Sequence, residues 1–189
     1  MSIRLLSAFM LIATLPACDF GPETARFVPT PTQSELRARA RVSTVEISEV
    51  TLPAYAASEE ISLREEGGAI RSNPDFLWAE LPENALTQAL VENLSQITGA
   101  QVAANPWPLG DRPQVEVTVR VRTMLVSETG TLEFSGQYAI GAPEDAVREH
   151  VHAFALTETI SGRDYQSIVD AHGRAWRRLA EDIARRGLR

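Results

Sequence analysis

The chain of 189 residues contains a single cysteine and no lysine: all 18 basic residues are arginine. One cysteine excludes an intrachain disulfide framework. Twenty-five acidic residues against those 18 leave a formal net charge of −7, the wrong sign for a protein that holds nucleic acid through its phosphates. Aromatic residues make up only 6% of the chain, and its one long apolar run is too short to span a bilayer. What remains is 44% hydrophobic and 23% charged, a globular composition long enough to bury a core without staples.

The apolar run lies at the N-terminus. Met1 to Cys18 reads as one charge at Arg4, then Leu5 to Leu15, then the small residues Pro16 and Ala17. This is the layout of a secretory signal peptide, here over residues 1–17. Leu15-Pro16-Ala17-Cys18 resembles a bacterial lipobox, in which the cysteine becomes the first mature residue and carries a diacylglycerol thioether and an N-acyl chain. The other reading, a cleaved leader with an incidental cysteine, is countered by the position of Cys18, where a lipobox requires the chain's only thiol. One acyl chain holds a protein weakly, at about 0.8 kcal/mol per buried CH₂, and several hold it firmly. Loss of residues 1–17 removes Arg4 and brings the net charge to about −8. Asp19 stands where enteric lipoproteins carry an inner-membrane retention signal, so the expected location faces the periplasm, at the inner membrane by that rule.

Residues 18–41, rich in proline and threonine and without apolar periodicity, read as the acylated cysteine followed by a flexible tether. Arg37, Arg39 and Arg41 then alternate as a solvated lead-in to the folded domain, 42–189. Val42 to Val50 is β-branched and predicts a strand, and Ile61 to Arg64 with Ala69 to Arg71 around Gly67-Gly68 predicts a hairpin. Asn73-Pro74 predicts a loop, and Pro82 opens a helix with Leu86, Leu90, Leu94 and Ile97 on one stripe, closed at Gly99. Val115 to Val121, Leu132 to Ile140 and Val151 to Ile160 alternate as an antiparallel meander. The last helix, from about Asp164, places Ile168, His172, Trp176, Leu179 and Ile183 on its core stripe. The sum is one α+β domain, a largely antiparallel sheet with two main helices on one face.

Catalytic signatures are sparse, with no G-x-S-x-G elbow, no Gly-rich phosphate loop and no H-E-x-x-H. His150 and His152 share a strand face and are the weak metal candidates, with Glu149 or Glu158 as further ligands; a structural or solvent-facing role is the competing reading. His172 reads as a satisfied core histidine. Trp78 reads as a core plug, and Trp107 as either a plug or an interface anchor.

Leu52-Pro53-Ala54-Tyr55 after the first strand, Trp78-Ala79-Glu80 leading into a helix, and Asn105-Pro106-Trp107-Pro108 before an alternating strand together resemble the ABC-type transport auxiliary lipoproteins, the PqiC-like family. The closing helix from Tyr165 to Ile183 is similar too, and the resemblance covers Val42 to Ala184. It implies a non-enzymatic lipoprotein at the outer membrane whose partners are an MCE-domain protein and an ABC or Pqi-type permease, with no cofactor beyond the acyl chains on Cys18. Leu52, Pro53, Tyr55, Pro106 and Trp107 are then the expected partner-contacting residues, and a homo-oligomer is possible. The competing classes are a lipoprotein chaperoning an outer-membrane component, a lipid-binding carrier, and a hydrolase of unrecognised type.

Overall fold

The computed structural model describes residues 24–162 and 164–189. Cys18 and Asp19 lie outside them. The elements are β1 (Ala25–Phe27), β2 (Thr44–Thr51), α1 (Ala54–Ala57), β3 (Glu60–Arg64), β4 (Ile70–Trp78), α2 (Pro82–Thr98), β5 (Gln101–Ala104), β6 (Val115–Val126), β7 (Thr131–Gly141), β8 (His150–Thr159) and α3 (Tyr165–Arg186). All eight strands join one sheet in which β6 is central. One edge of β6 pairs with β7, which pairs with β8, and the other edge is shared by β2 and β3.

The longest ladders, β6 with β7 and β7 with β8, are antiparallel, as is the β3–β4 hairpin. By paired length the sheet is largely antiparallel, as the meander pattern predicts. The joins β1–β4, β2–β5, β2–β6 and β3–β6 are parallel; β2 and β5 run the same way because α2 carries the chain back before β5.

Valines alternate along β6 with Val115, Val117, Val119 and Val121 turned inward, and β7 answers with Leu132, Phe134, Tyr138 and Ile140. Against this face pack α2, through Leu86, Leu90, Leu94 and Ile97, and α3, through Ala175, Trp176, Leu179 and Ile183, all buried. Pro82 starts α2 where a missing N–H costs nothing, and Gly99 ends it in the left-handed region at φ 72°, donating its N–H to the Ser95 carbonyl. In α3, Asp164 caps the first turn by accepting from Ser167 N at 2.8 Å, and Arg185 and Arg186 sit at the negative end of the dipole.

Three elements escape the sequence patterns: β1, α1 and β5 span three or four residues each, too short for a period to register. The predicted loop at Asn73-Pro74 is instead strand. Pro74 falls where the β3–β4 register shifts, between the pairs Ser62–Ser72 and Glu60–Leu77, so its missing N–H leaves no ladder bond unmade.

The expected tether requires the largest correction. From residue 24 onward it is folded onto the domain: Arg26 and Phe27 pair with Leu77 and Trp78, and Ser34 and Ala38 are buried. Its prolines carry no helix or strand period, yet the segment finds partners for its polar groups on the two helices.

Candidate functional site

The strap formed by residues 28–41 borders a groove on α2 and α3. Gln166 Nε2 donates to the Val28 carbonyl at 2.9 Å, Thr30 N to Asp170 Oδ1 at 2.8 Å, and Ser34 Oγ to Glu181 Oε1 at 2.7 Å. Further along, Ala38 N donates to the Ile97 carbonyl and Arg41 N to that of Leu188. The strap is thus pinned to α3 at its start, to α2 in its middle and to the C-terminus at its end. Burial pushes the Asp170 carboxyl up, but the hydrogen bonds from Thr30 and Gln166 outweigh it and hold it below the usual carboxylate range.

Gly173 of α3 permits this approach, since a Cβ there would lie 2.9 Å from Pro29 Cβ. A leucine at 173 has nowhere to go but into the strap. Gly173→Leu is therefore expected to leave the sheet folded while exposing residues 28–33 to limited proteolysis, read as a new cleavage near Thr30; an unchanged digestion pattern would mean the strap is held elsewhere.

Strap, α2 and α3 enclose a groove of about 750 Å³ lined by Pro29, Gln33, Ala89, Asn93, Gly173 and Trp176 among others. Two buried polar atoms on its lining residues have no hydrogen-bond partner among the described residues: Asn93 Oδ1, an acceptor, and Trp176 Nε1, a donor. The Asn93 amide is oriented by its Nδ2, which donates to the Ala89 carbonyl at 2.8 Å. Both atoms are sealed from solvent, so they lie behind the mostly apolar wall of the groove and do not face into it. The only sequence signal for it is Asn93 beside the leucine stripe, a polar residue that is 8% exposed.

Below the groove, Trp78, His172 and Trp176 form a cluster. The His172 ring meets Trp78 edge-on at 5.0 Å, and the two indoles stack at 5.8 Å. His172 Nδ1 lies 2.9 Å from the Ile168 carbonyl, so that nitrogen carries the proton. Burial pulls its pKa down to about 4, and the ring is neutral at pH 7. This is the satisfied core histidine that its position on the stripe predicts, and Trp78 is the core plug.

His150 and His152 do share the helix-side face of β8, but they reach different partners. His150 Nδ1 donates to the Arg148 carbonyl at 2.8 Å, whereas His152 Nε2 lies 3.7 Å from Asp182 Oδ2. That carboxylate also accepts from the Tyr138 hydroxyl at 3.0 Å and from Arg186 Nε at 2.8 Å. Burial and the Asp182 charge raise the Tyr138 pKa and keep the phenol protonated as a donor. Among the described residues no group of three or more His, Cys, Asp or Glu converges on a point, so the metal reading gains no third ligand.

The five expected contact residues divide between the two faces of the sheet. Leu52 and Tyr55 pack against the core at α1, beside α2. The Leu52 N–H donates to Glu83 Oε1 at 3.0 Å, and the Tyr55 hydroxyl accepts from Met124 N at 3.4 Å. Pro53 begins that turn, its carbonyl accepting from Ala56 and Ala57. Pro106 and Trp107 belong to the link from β5 to β6, which must cross β2, and right-handed crossing puts it on the face away from the helices. Glu46 marks the crossing: it lies on that face, is buried, and accepts from Asn105 Nδ2 at 3.2 Å. The Asn105-Pro106 bond is cis, and Trp107 Nε1 donates to the Asp111 carbonyl at 2.7 Å, folding the loop on itself. The two segments do not make one surface.

Among the described residues no helix is long and apolar enough to cross a membrane. No curated protein matches the chain. Among the solved structures of similar fold are two that cover most of the chain. One, an uncharacterized protein, is 21% identical with a TM-score of 0.69, over 86% of this chain and 98% of its own. The other, protein XCC0632 from Xanthomonas campestris of the family DUF330, is 16% identical with a TM-score of 0.60, over 88% and 92%. Residues 27–184 match the family described as the ABC-type transport auxiliary lipoprotein component, which takes in the strap, the groove and both helices. With that match extending over most of its length, the chain belongs to the ABC-type transport auxiliary lipoprotein family.

Proposed function

We propose that the protein is a non-enzymatic docking component of an intermembrane lipid transport system, acylated at Cys18, that couples an MCE-domain protein and its permease to the membrane it is anchored in. The observation that carries this reading is the family match over residues 27–184, and the lipobox at Cys18 agrees with it. The folded strap refines the geometry. Six residues lie between Cys18 and β1, a reach of at most about 25 Å, so the domain rides close to its membrane. Confinement of this kind raises the effective concentration of a modest contact.

The test is affinity purification of the full chain in mild detergent from cells that also express the neighbouring MCE-domain protein. The account expects the two to purify together at fixed ratio; an MCE assembly that forms and exports lipid unchanged without this chain would overturn it. The groove favours a second reading, a carrier that holds lipid itself. Native mass spectrometry separates the two, because a carrier retains a phospholipid mass and a docking component does not. Asp19 favours the inner membrane and the family resemblance the outer.

A further inference from the structure

β8 lies at the end of the sheet and, among the described residues, pairs with β7 alone. Two arginines of α3 reach round its free edge: Arg178 Nη1 donates to the Thr157 carbonyl and Arg174 Nη2 to that of Thr159, both at 2.9 Å. Those bonds establish which way the backbone faces. Odd-numbered residues of β8 present N–H and C=O outward, while even-numbered residues exchange theirs with β7. Val151, Ala153 and Ala155 therefore carry the outward groups of the first half, and among the described residues nothing bonds to them. Their side chains are exposed on the sheet face away from the helices, Val151 to 63%. Half of the edge is capped by arginine; the other half is open, uncharged and small-residued, the kind that proteins normally blunt.

We propose that this half-edge pairs with the same half-edge of a second copy, antiparallel about a two-fold axis at Ala153. The run fits its own image. Three outward residues centred on alanine put Ala153 against the partner's Ala153 and Val151 against the partner's Ala155, so that each outward N–H meets an outward C=O. Charge complements the same register. Continued two residues past the start of β8, it brings the partner's Arg148 and the partner's Glu149, the latter already accepting from Ala142 N, toward the Glu158–Arg178 ion pair. Arg178 and Arg174 also select the register, because a slip toward the strand's C-terminus meets carbonyls already occupied. A second copy is thus the occupant that both the backbone pattern and the flanking charges fit.

Cysteine trapping in the full chain tests this. Directly opposed residues of such a pair lie with Cα atoms about 5.5 Å apart, within the 4.4–6.8 Å that a disulfide spans. Ala153→Cys is expected to give a covalent dimer under mild oxidation. Gln137→Cys, exposed one strand inward, and the unaltered chain, whose only thiol position is Cys18, are expected not to. Adding Ala155→Pro to Ala153→Cys removes an outward N–H without breaking a β7–β8 bond and should cut the trapped dimer about tenfold. Trapping by Ala153→Cys no greater than by Gln137→Cys would overturn the proposal, as would exclusive trapping to a different protein.

Discussion

Gly136→Val is expected to prevent the domain from folding, and Gly136→Ala to lower its thermal midpoint by roughly 6–12 °C. Gly136 lies on the buried face of β7 opposite Val121, where β6 shifts register before Thr123. The bulge bends β6 across the glycine: a Cβ there would lie 2.3 Å from the Arg120 carbonyl oxygen and 2.9 Å from Val121 Cα. Both obstacles are backbone in the central strand of the sheet, so no rotamer change relieves them, and relief means parting the longest ladder. We put the cost for alanine at about 3 kcal/mol, the upper end of overpacking, and for the branched valine higher. Gly141→Ala is the control, since its Cβ would meet Glu116 at an ordinary 3.8 Å. Circular dichroism melts of the three variants suffice. Equal midpoints for Gly136→Ala and Gly141→Ala would show that β6 does not pass as closely as described.

Acid should unfold the protein early, and His172 is the reason. Its folded pKa of about 4 lies below the ordinary 6.5 because burial penalises the imidazolium. The unfolded chain therefore binds this proton more readily than the folded one. The stabilisation from His172 is complete above about pH 6.5, declines as pH falls, and is gone by about pH 4; the shift corresponds to about 3 kcal/mol. Asp170, held low by the strap, adds a further loss below that window, as pH falls past the ordinary carboxylate value of 3.8. Urea midpoints measured from pH 7 to pH 4 should fall steadily, and His172→Gln should flatten the part above pH 5. If the variant shows the same slope as the parent, the acid sensitivity lies elsewhere.

These two sites were unequally legible in the sequence. His172 announces itself, a titratable residue on an otherwise apolar helical stripe, and the structure keeps it where the period puts it. Gly136 sits within an alternating strand, and nothing local says that the neighbouring strand bulges against it; that is a tertiary fact. The same division runs through the fold. Long periodic segments such as Val115–Val126 and Tyr165–Arg186 were readable, because one face of each must be buried. The strap was not. Its polar groups, the Val28 carbonyl, the Thr30 N–H and the Ser34 hydroxyl, are satisfied by Gln166, Asp170 and Glu181, more than 130 residues away in sequence, and composition alone makes such a segment look free. The groove shared that fate, because it exists only where strap, α2 and α3 meet. Of the expected contacts, Leu52 and Tyr55 are half-buried against the core, and Trp107 is half-buried in the link from β5 to β6.

In the proposed function, acyl chains on Cys18 hold a folded domain close to a membrane. Palmitate labelling followed by membrane fractionation tests it in one experiment, with the unaltered chain and Cys18→Ser side by side. Label and membrane recovery are expected for the unaltered chain, and for Cys18→Ser no label and release of the domain after mild washing. An unlabelled parent, or a Cys18→Ser chain that stays with the membrane to the same extent, would contradict it.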